Sequence, residues 1–350
     1  MDSVDLQSVT LTLEEAMSIA SVTDYQRMMR SENIWWPALA RPRDVASRKE
    51  TIHWILDTAK IEVKDFGQVT FEDMTTVDML VEPQFGSAGL EIGIEAFQDL
   101  RNGRWGGEAI DSGTAWARQM GAQMAYWPQY RMARSLLANP VCYDTLAFFH
   151  HSHQVNPGDA SSPTYANLLD ATSLGTLSPI DETVTVDVAV KNLNRAIAYI
   201  RSLKSPNARD PRFLQPVGIL VPTAMTARIQ QLTNARFIAQ AASSGGGSGD
   251  ITGVIRNLGL GDPLIAPEIG AGYTYDGYSG SDVDYYIVCE TADVEIGPFV
   301  YARREAWNIV YHDLQSSAEL ARRGKLQWVC RGRNEIVPAL PYTIFKVKGS

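Results

Sequence analysis

At 350 residues the chain exceeds the usual reach of one hydrophobic core, so two or three linked lobes are expected. Hydrophobic residues at 45% and charged residues at 20% exclude a largely disordered chain. A net charge of -9 excludes a surface built to wrap nucleic acid by counterion release, and basic groups such as Arg322, Arg323 and Lys325 read as a solvated face.

Cys142, Cys289 and Cys330 are far apart, odd in number and free of CxxC spacing, which argues against a disulfide framework and a structural zinc site and fits a reducing cytoplasm. The opening MDSVDLQSVTLTLEEAMSIA is acidic where a secretion signal needs basic residues, and no run approaches the roughly 20 apolar residues of a membrane span. Neither export nor a membrane partner is expected.

In chain order, residues 1–48 read as an extended arm with one amphipathic helix near Leu13 to Met29, followed by Trp35-Trp36-Pro37. Two exposed tryptophans are costly for a lone subunit, so both rings are expected to bury, and the arm is expected to carry them across a subunit boundary. Between Lys49 and Asp99, alternation in Thr51–Ile55 and in Leu90–Glu95 predicts strands, with the polar Lys64–Gln68 as a hairpin tip.

Residues 108–138 predict the longest helix: Trp116, Met120, Met124 and Trp127 share one face beside a small stripe of Gly113, Ala117, Gly121 and Ala125. Pro128 predicts a kink or a short break. After a turn-rich stretch at 150–182, Val190, Leu193, Ile197 and Ile200 predict a helix over 187–204. Next come an apolar strand at Phe213–Val221, Thr223 as the N-cap of a helix over Ala224–Ala241, and a flexible SSGGGSG loop. Strands are predicted at Tyr285–Glu290, Phe299–Tyr311, Lys325–Arg331 and Tyr342–Val347, the third with Leu326, Trp328 and Cys330 on its buried face. The pattern is α+β without internal repeats.

Chemistry has little to stand on. His150, His151 and His153 form the conspicuous cluster, yet only two would share a strand face, and neither Asp144 nor Asp159 stands at a diagnostic spacing for a third ligand. There is no GxSxG elbow, no GxGxxG fingerprint and no GxxxxGK[ST] loop. Cys142 reads as a small buried hydrophobe. No catalytic residue, metal or cofactor is expected; a hydrolase using the His150–His153 cluster is the distant alternative.

The stretch CYDTLAFFHHSHQVNPGD followed by YANLL resembles the Mu-like phage major head subunit family, with its tyrosine-aspartate turn, paired phenylalanines, histidine and Asn-Leu-Leu run. GIEAFQDLRNGRWGG, PRFLQPVGILVPTAM, LGDPLIAPEI, DYYIVCET and PFVYARREAWNIV follow in the family's order, so the likeness spans roughly residues 85–348. The resemblance implies a major capsid protein of the Hong Kong 97 fold, not an enzyme. It implies an N-terminal arm at 1–48, an extended loop at 49–95, a peripheral domain with a spine helix at 96–182 and 291–350, and an axial domain at 183–290.

The function so implied is self-assembly into an icosahedral head shell, in hexamers and pentamers, in the host cytoplasm. Portal and scaffold proteins, a decoration protein, and packaged double-stranded DNA held weakly and without sequence preference are the expected partners. Trp35, Trp36, Trp54, Ile55, Met79 and Leu80 are the expected inter-subunit contacts. A non-viral compartment shell of the same fold is the alternative.

Overall fold

The computed structural model describes residues 3–55, 76–93, 95, 108–157, 159, 161–174, 180–205, 211–234, 258–290, 297–312 and 323–349. The expected hairpin tip at 64–68 and the SSGGGSG loop lie outside the described residues.

The chain opens with helix α1 (Ser3–Met29), longer than its sequence pattern, then β1 (Ala40–Asp44), β2 (Glu50–Ile55), β3 (Thr76–Val81) and β4 (Gln84–Gly93). Helix α2 (Glu108–Ala138) matches the expected bounds. Three two-residue strands follow, β5 (His153–Gln154), β6 (Thr164–Tyr165) and β7 (Leu168–Leu169), then one helical turn at Ala171–Leu174. Helix α3 (Val186–Arg201), strand β8 (Gln215–Val221) and helix α4 (Thr226–Asn234) come next. The remainder is β9 (Leu264–Ile265), β10 (Thr274–Tyr275), β11 (Tyr278–Ser279), β12 (Tyr285–Glu290), β13 (Phe299–His312), β14 (Lys325–Pro338) and β15 (Ile344–Val347).

Two main sheets organise these strands. One has the order β1-β13-β14-β4, the other β7-β15-β12-β8-β9. The second draws β7 and β15 from the stretches expected to be peripheral, and β8, β9 and β12 from the stretch expected to be axial.

Strand β12 is buried from Tyr285 to Cys289, so both of its faces need cover. Tyr285, Ile287 and Cys289 face a core shared with Leu193 and Ile197 of α3, Ile219 of β8 and Phe345 of β15. Tyr286 and Val288 face a second core with Met132 and Leu136 of α2, Phe148, Phe149 and Phe299. Helix α3 has a local reason to start where it does: the Thr185 side chain accepts from Val188 N–H, and Asp187 in the first turn pairs with Lys191 at 2.7 Å. The expected N-cap at Thr223 is replaced by a 3-10 turn over Thr223–Met225, which places Met225, Ile229 and Leu232 in the core.

Helix α2 runs through Pro128 without the expected break. Pro128 removes the N–H that would reach the Met124 carbonyl, and the Trp36 indole donates to the next carbonyl, that of Ala125, at 3.2 Å. The small stripe receives α1: Met17 and Ala117 share a core with Leu326 and Trp328, and Ser21 lies directly on Gly121. An exposed Gly to Ala change in a helix gains about 1 kcal/mol. Here the new Cβ would overlap the Ser21 carbonyl, so Gly121→Ala is predicted to destabilise by about 1 to 3 kcal/mol, measured as a lower urea midpoint at unchanged slope.

Candidate assembly surface and arm anchor

The arm is tied down by a buried polar junction. The Trp35 backbone N–H donates to Gln129 Oε1 at 2.9 Å, and its indole N–H donates to Glu268 Oε2 at 3.1 Å. Gln129 Nε2 donates to Glu268 Oε1 at 2.8 Å and to the Asn33 carbonyl at 2.9 Å. The hydroxyl of Tyr126 also bonds Glu268, and Tyr275 lies close enough to feel its charge. Burial first, then the Glu268 charge, raises both phenols, Tyr275 to about 12.

Trp35, only 1% exposed, and Trp36 therefore bury within their own chain, which corrects the expectation that they cross a subunit boundary. Close cover is at hand in α2, and the Trp36 ring meets Tyr301 edge-on at 5.1 Å.

The segment that carried the family resemblance is a knot of buried polar groups beneath the second core. Asn167 accepts from His150 N–H at 2.8 Å and donates to the carbonyls of Phe148 at 2.6 Å and Pro341 at 2.9 Å. Asn139, whose φ of 50° suits an Asn, bonds both backbone groups of Phe149. Fully buried His153 turns one ring nitrogen to Asp144 at 2.5 Å and the other to the Phe148 carbonyl at 3.2 Å. Asp159 instead accepts from Ser161, and His151 lies 3.4 Å from Asp170.

His153 thus spends both ring nitrogens on the fold. Burial, then the two neighbouring histidines, lowers the pKa of His150. Among the described residues no group of three or more His, Cys, Asp or Glu converges as metal ligands. All three cysteines are buried and unpaired, and burial raises each thiol, Cys330 to about 11.

The hairpin has two unlike faces. Strands β2 and β3 pair antiparallel from Glu50–Val81 to Ile55–Thr76. Ile52, Trp54, Val77 and Val81 point into the first core, and Met79 packs half-buried against it. Trp54 also meets Tyr143 edge-on at 6.0 Å. Trp54 and Met79, expected as inter-subunit contacts, are therefore covered by their own subunit, because the strand alternation turns them inward. Ile55 pairs with Thr76, and its side chain lies outside the described residues. Leu80, opposite Thr51, points outward and is 54% exposed. Strand β4 is not the return strand of this hairpin; it pairs with β14.

Sequence reasoning missed Gln129 and Glu268, and also the pairing of Arg131 with Glu335 at 3.0 and 2.5 Å. Gln129 left one signal, a polar side chain inside the apolar stretch after Pro128; Glu268 left none. Further exposed apolar groups stand at Ile19, Val22 and Tyr25 along the outside of α1, and at Phe85 on β4. Glu268→Ala would leave the Trp35 indole and the Gln129 amide without their acceptor, at about 1 to 3 kcal/mol per orphaned donor. The variant is predicted to melt lower and to lose near-ultraviolet dichroism from Trp35.

Over residues 14–179 the sequence matches the family model of the Mu-like prophage major head subunit gpT. The match overlaps the expected stretch at 85–179 and reaches back into α1, where no likeness was expected. The capsid of cyanophage P-SCSP1u is similar with a TM-score of 0.50 at 10% identity, over 89% of this chain and 86% of that one. The mature capsid of bacteriophage PhiM1 gives 0.50 at 12% identity, over 91% of this chain and 87% of that one. No curated protein sequence matches. The structural likeness shows the fold, a mixed helix-and-sheet arrangement similar to Hong Kong 97-like capsid proteins. With the sequence match over residues 14–179, just under half of the chain, it makes this chain similar to the Mu-like prophage major head subunit in sequence and to phage capsid proteins in fold.

Proposed function

We propose that the subunit closes icosahedral head shells by self-association, with the outward face of the β2–β3 hairpin as one lateral contact. The observation that carries this reading is Leu80: a leucine 54% exposed on a hairpin whose opposite face is anchored in the core. A rigidly held strand that displays an apolar side chain loses little entropy when a neighbour covers it. One such side chain contributes about 1.5 to 3 kcal/mol when fully buried, and symmetry repeats the contact around every capsomer.

The division into arm 1–48, extended loop 49–95, peripheral domain 96–182 with 291–350, and axial domain 183–290 belongs to this proposal. So do hexamers and pentamers, portal, scaffold and decoration partners, and assembly in the host cytoplasm. The net charge of -9 supports a wall that contains double-stranded DNA without holding it tightly.

Negative-stain imaging of the expressed chain is predicted to show closed shells; tubes or monomers alone would refute the proposal. Leu80→Asp is predicted to leave circular dichroism and thermal melting unchanged while lowering particle yield about tenfold, the equivalent of about 1.4 kcal/mol. Wild-type yield from this variant would remove the hairpin face from the set of lateral contacts.

A further inference from the structure

Helix α1 is clamped on one side and bare on the other. Met17, Ser21 and Asp24 are buried on the side of α2, where Ser21 lies directly on Gly121 and Asp24 faces Arg118 at 3.9 Å. At about 3.6 residues per turn, Glu15, Ile19, Val22, Gln26 and Arg30 fall on the opposite face, and all of them are exposed. Arg30 follows the last turn but keeps its pattern, its N–H donating to the Gln26 carbonyl at 3.2 Å.

Ile19 is 61% and Val22 51% exposed, and two such side chains alone need no explanation. The charges at either end of the stripe give them one. Among the described residues neither Glu15 nor Arg30 has an ion-pair partner, whereas the neighbouring Arg27 is held by Asp24 at 2.7 Å. Thr23, beside the centre of the stripe, spends its hydroxyl on the Ile19 carbonyl at 2.8 Å. The stripe therefore runs from an unpaired acid through an apolar centre to an unpaired base.

A surface of that order is its own complement when reversed. We propose that the outer stripe of α1 pairs antiparallel with the same stripe of a second copy of this chain, across a two-fold axis between Val22 and Thr23. Glu15 of each copy then stands opposite Arg30 of the other, and Ile19 opposite Gln26. A parallel pair would set Glu15 on Glu15 and Arg30 on Arg30, so charge fixes the direction as well as the register. Two copies at -9 each repel overall, and the crossed pairs supply the local attraction that selects this contact. The contact is isologous, so it joins subunits two at a time and closes on itself. The clamp on α2 fixes the helix beforehand, and little ordering is lost when the stripe is covered. The inference rests on the shell-building reading and adds this contact to it.

Val22→Cys tests the register. Beside a two-fold axis the two new thiols face each other, and the native cysteines are buried. Mild oxidation of particles is expected to link most chains into dimers on a non-reducing gel. Ser18→Cys, exposed on α1 but well off the axis, is expected to stay monomeric. Val22→Cys particles with no more dimer than Ser18→Cys particles would overturn the proposal.

Glu15→Arg and Arg30→Glu test the charges. Each is expected to keep the wild-type melt and to lower particle yield about tenfold, and the double variant to recover it, since the crossed pairs reform with their signs exchanged. Wild-type yield from both single variants, or no recovery in the double, would overturn the proposal. Should Val22→Cys form no particles, the charge exchange decides. Failure of these tests on particles that still form refutes this contact alone, whereas a wild-type chain that forms no particles refutes the shell reading with it.

Discussion

Strand β12 has no polar face, and from that constraint most of the architecture follows, because a sheet whose central strand is apolar on both sides must be sandwiched. Helices α3 and α4 with the inner face of the hairpin cover one side. On the other side lie α2, the paired phenylalanines and the two arm tryptophans. The hairpin and the arm, which a reading of the sequence sends outward, are recruited inward since each supplies apolar surface the sheet lacks. Burying each tryptophan contributes about 2 to 3 kcal/mol, enough to hold a segment that has little local structure of its own.

Packing so many irregular segments against one sheet leaves polar groups inside, and several of the charged ones meet a partner. Glu268 gathers neutral donors and has no cation among its described bonds, Arg131 is held bidentate by Glu335, and Asp144 meets His153. Lys346 reaches Asp284 at 3.0 Å; burial alone would lower its pKa, but Tyr286 and Asp284 outweigh it and raise it. A lysine raised in the fold contributes stability below its unfolded pKa and loses it as the pH climbs through the folded value, so this pair serves across neutral pH. Such junctions fix which segments meet, a specificity that apolar contacts alone do not provide.

What the sequence disclosed follows the range of the forces involved. The bounds of α2, the small stripe that receives α1 and the alternation of Leu326, Trp328 and Cys330 rest on periodicity within one element, and all were legible. So was the likeness to capsid proteins, through an ordered series of short segments. The Asn167 bonds explain part of that series, for an asparagine that ties Phe148, His150 and Pro341 together has no ready substitute.

The destination of Trp35 was not legible, because its partners Gln129 and Glu268 lie 94 and 233 residues away and neither stands in a motif. Strand pairing failed for the same reason: alternation marked Leu90–Glu95 as a strand, but nothing local says whether it returns to β2 or joins β14. Of the six expected contact residues, Trp35, Trp36 and Trp54 are buried, Met79 is half-buried, and only Leu80 is shown facing outward. Hydrophobicity identifies residues that want cover without naming the chain that supplies it.

That distinction bears on how a shell is built from this subunit. A subunit whose arm and hairpin waited for a neighbour would order them during assembly, and each contact would lose about 0.5 to 1.5 kcal/mol per immobilised side chain. Here both are anchored beforehand, the arm by Glu268 and the hairpin by Ile52 and Trp54, so a weak outer contact is not drained by ordering. Among the described residues the large exposed apolar groups are scattered: Ile19, Val22 and Tyr25 along α1, Leu80 on the hairpin, Phe85 at the β4 edge, and Val141, Phe213, Tyr273 and Tyr278 elsewhere. A single large patch would drive premature association of free subunits, whereas small separated contacts gain their strength only when symmetry satisfies all of them together.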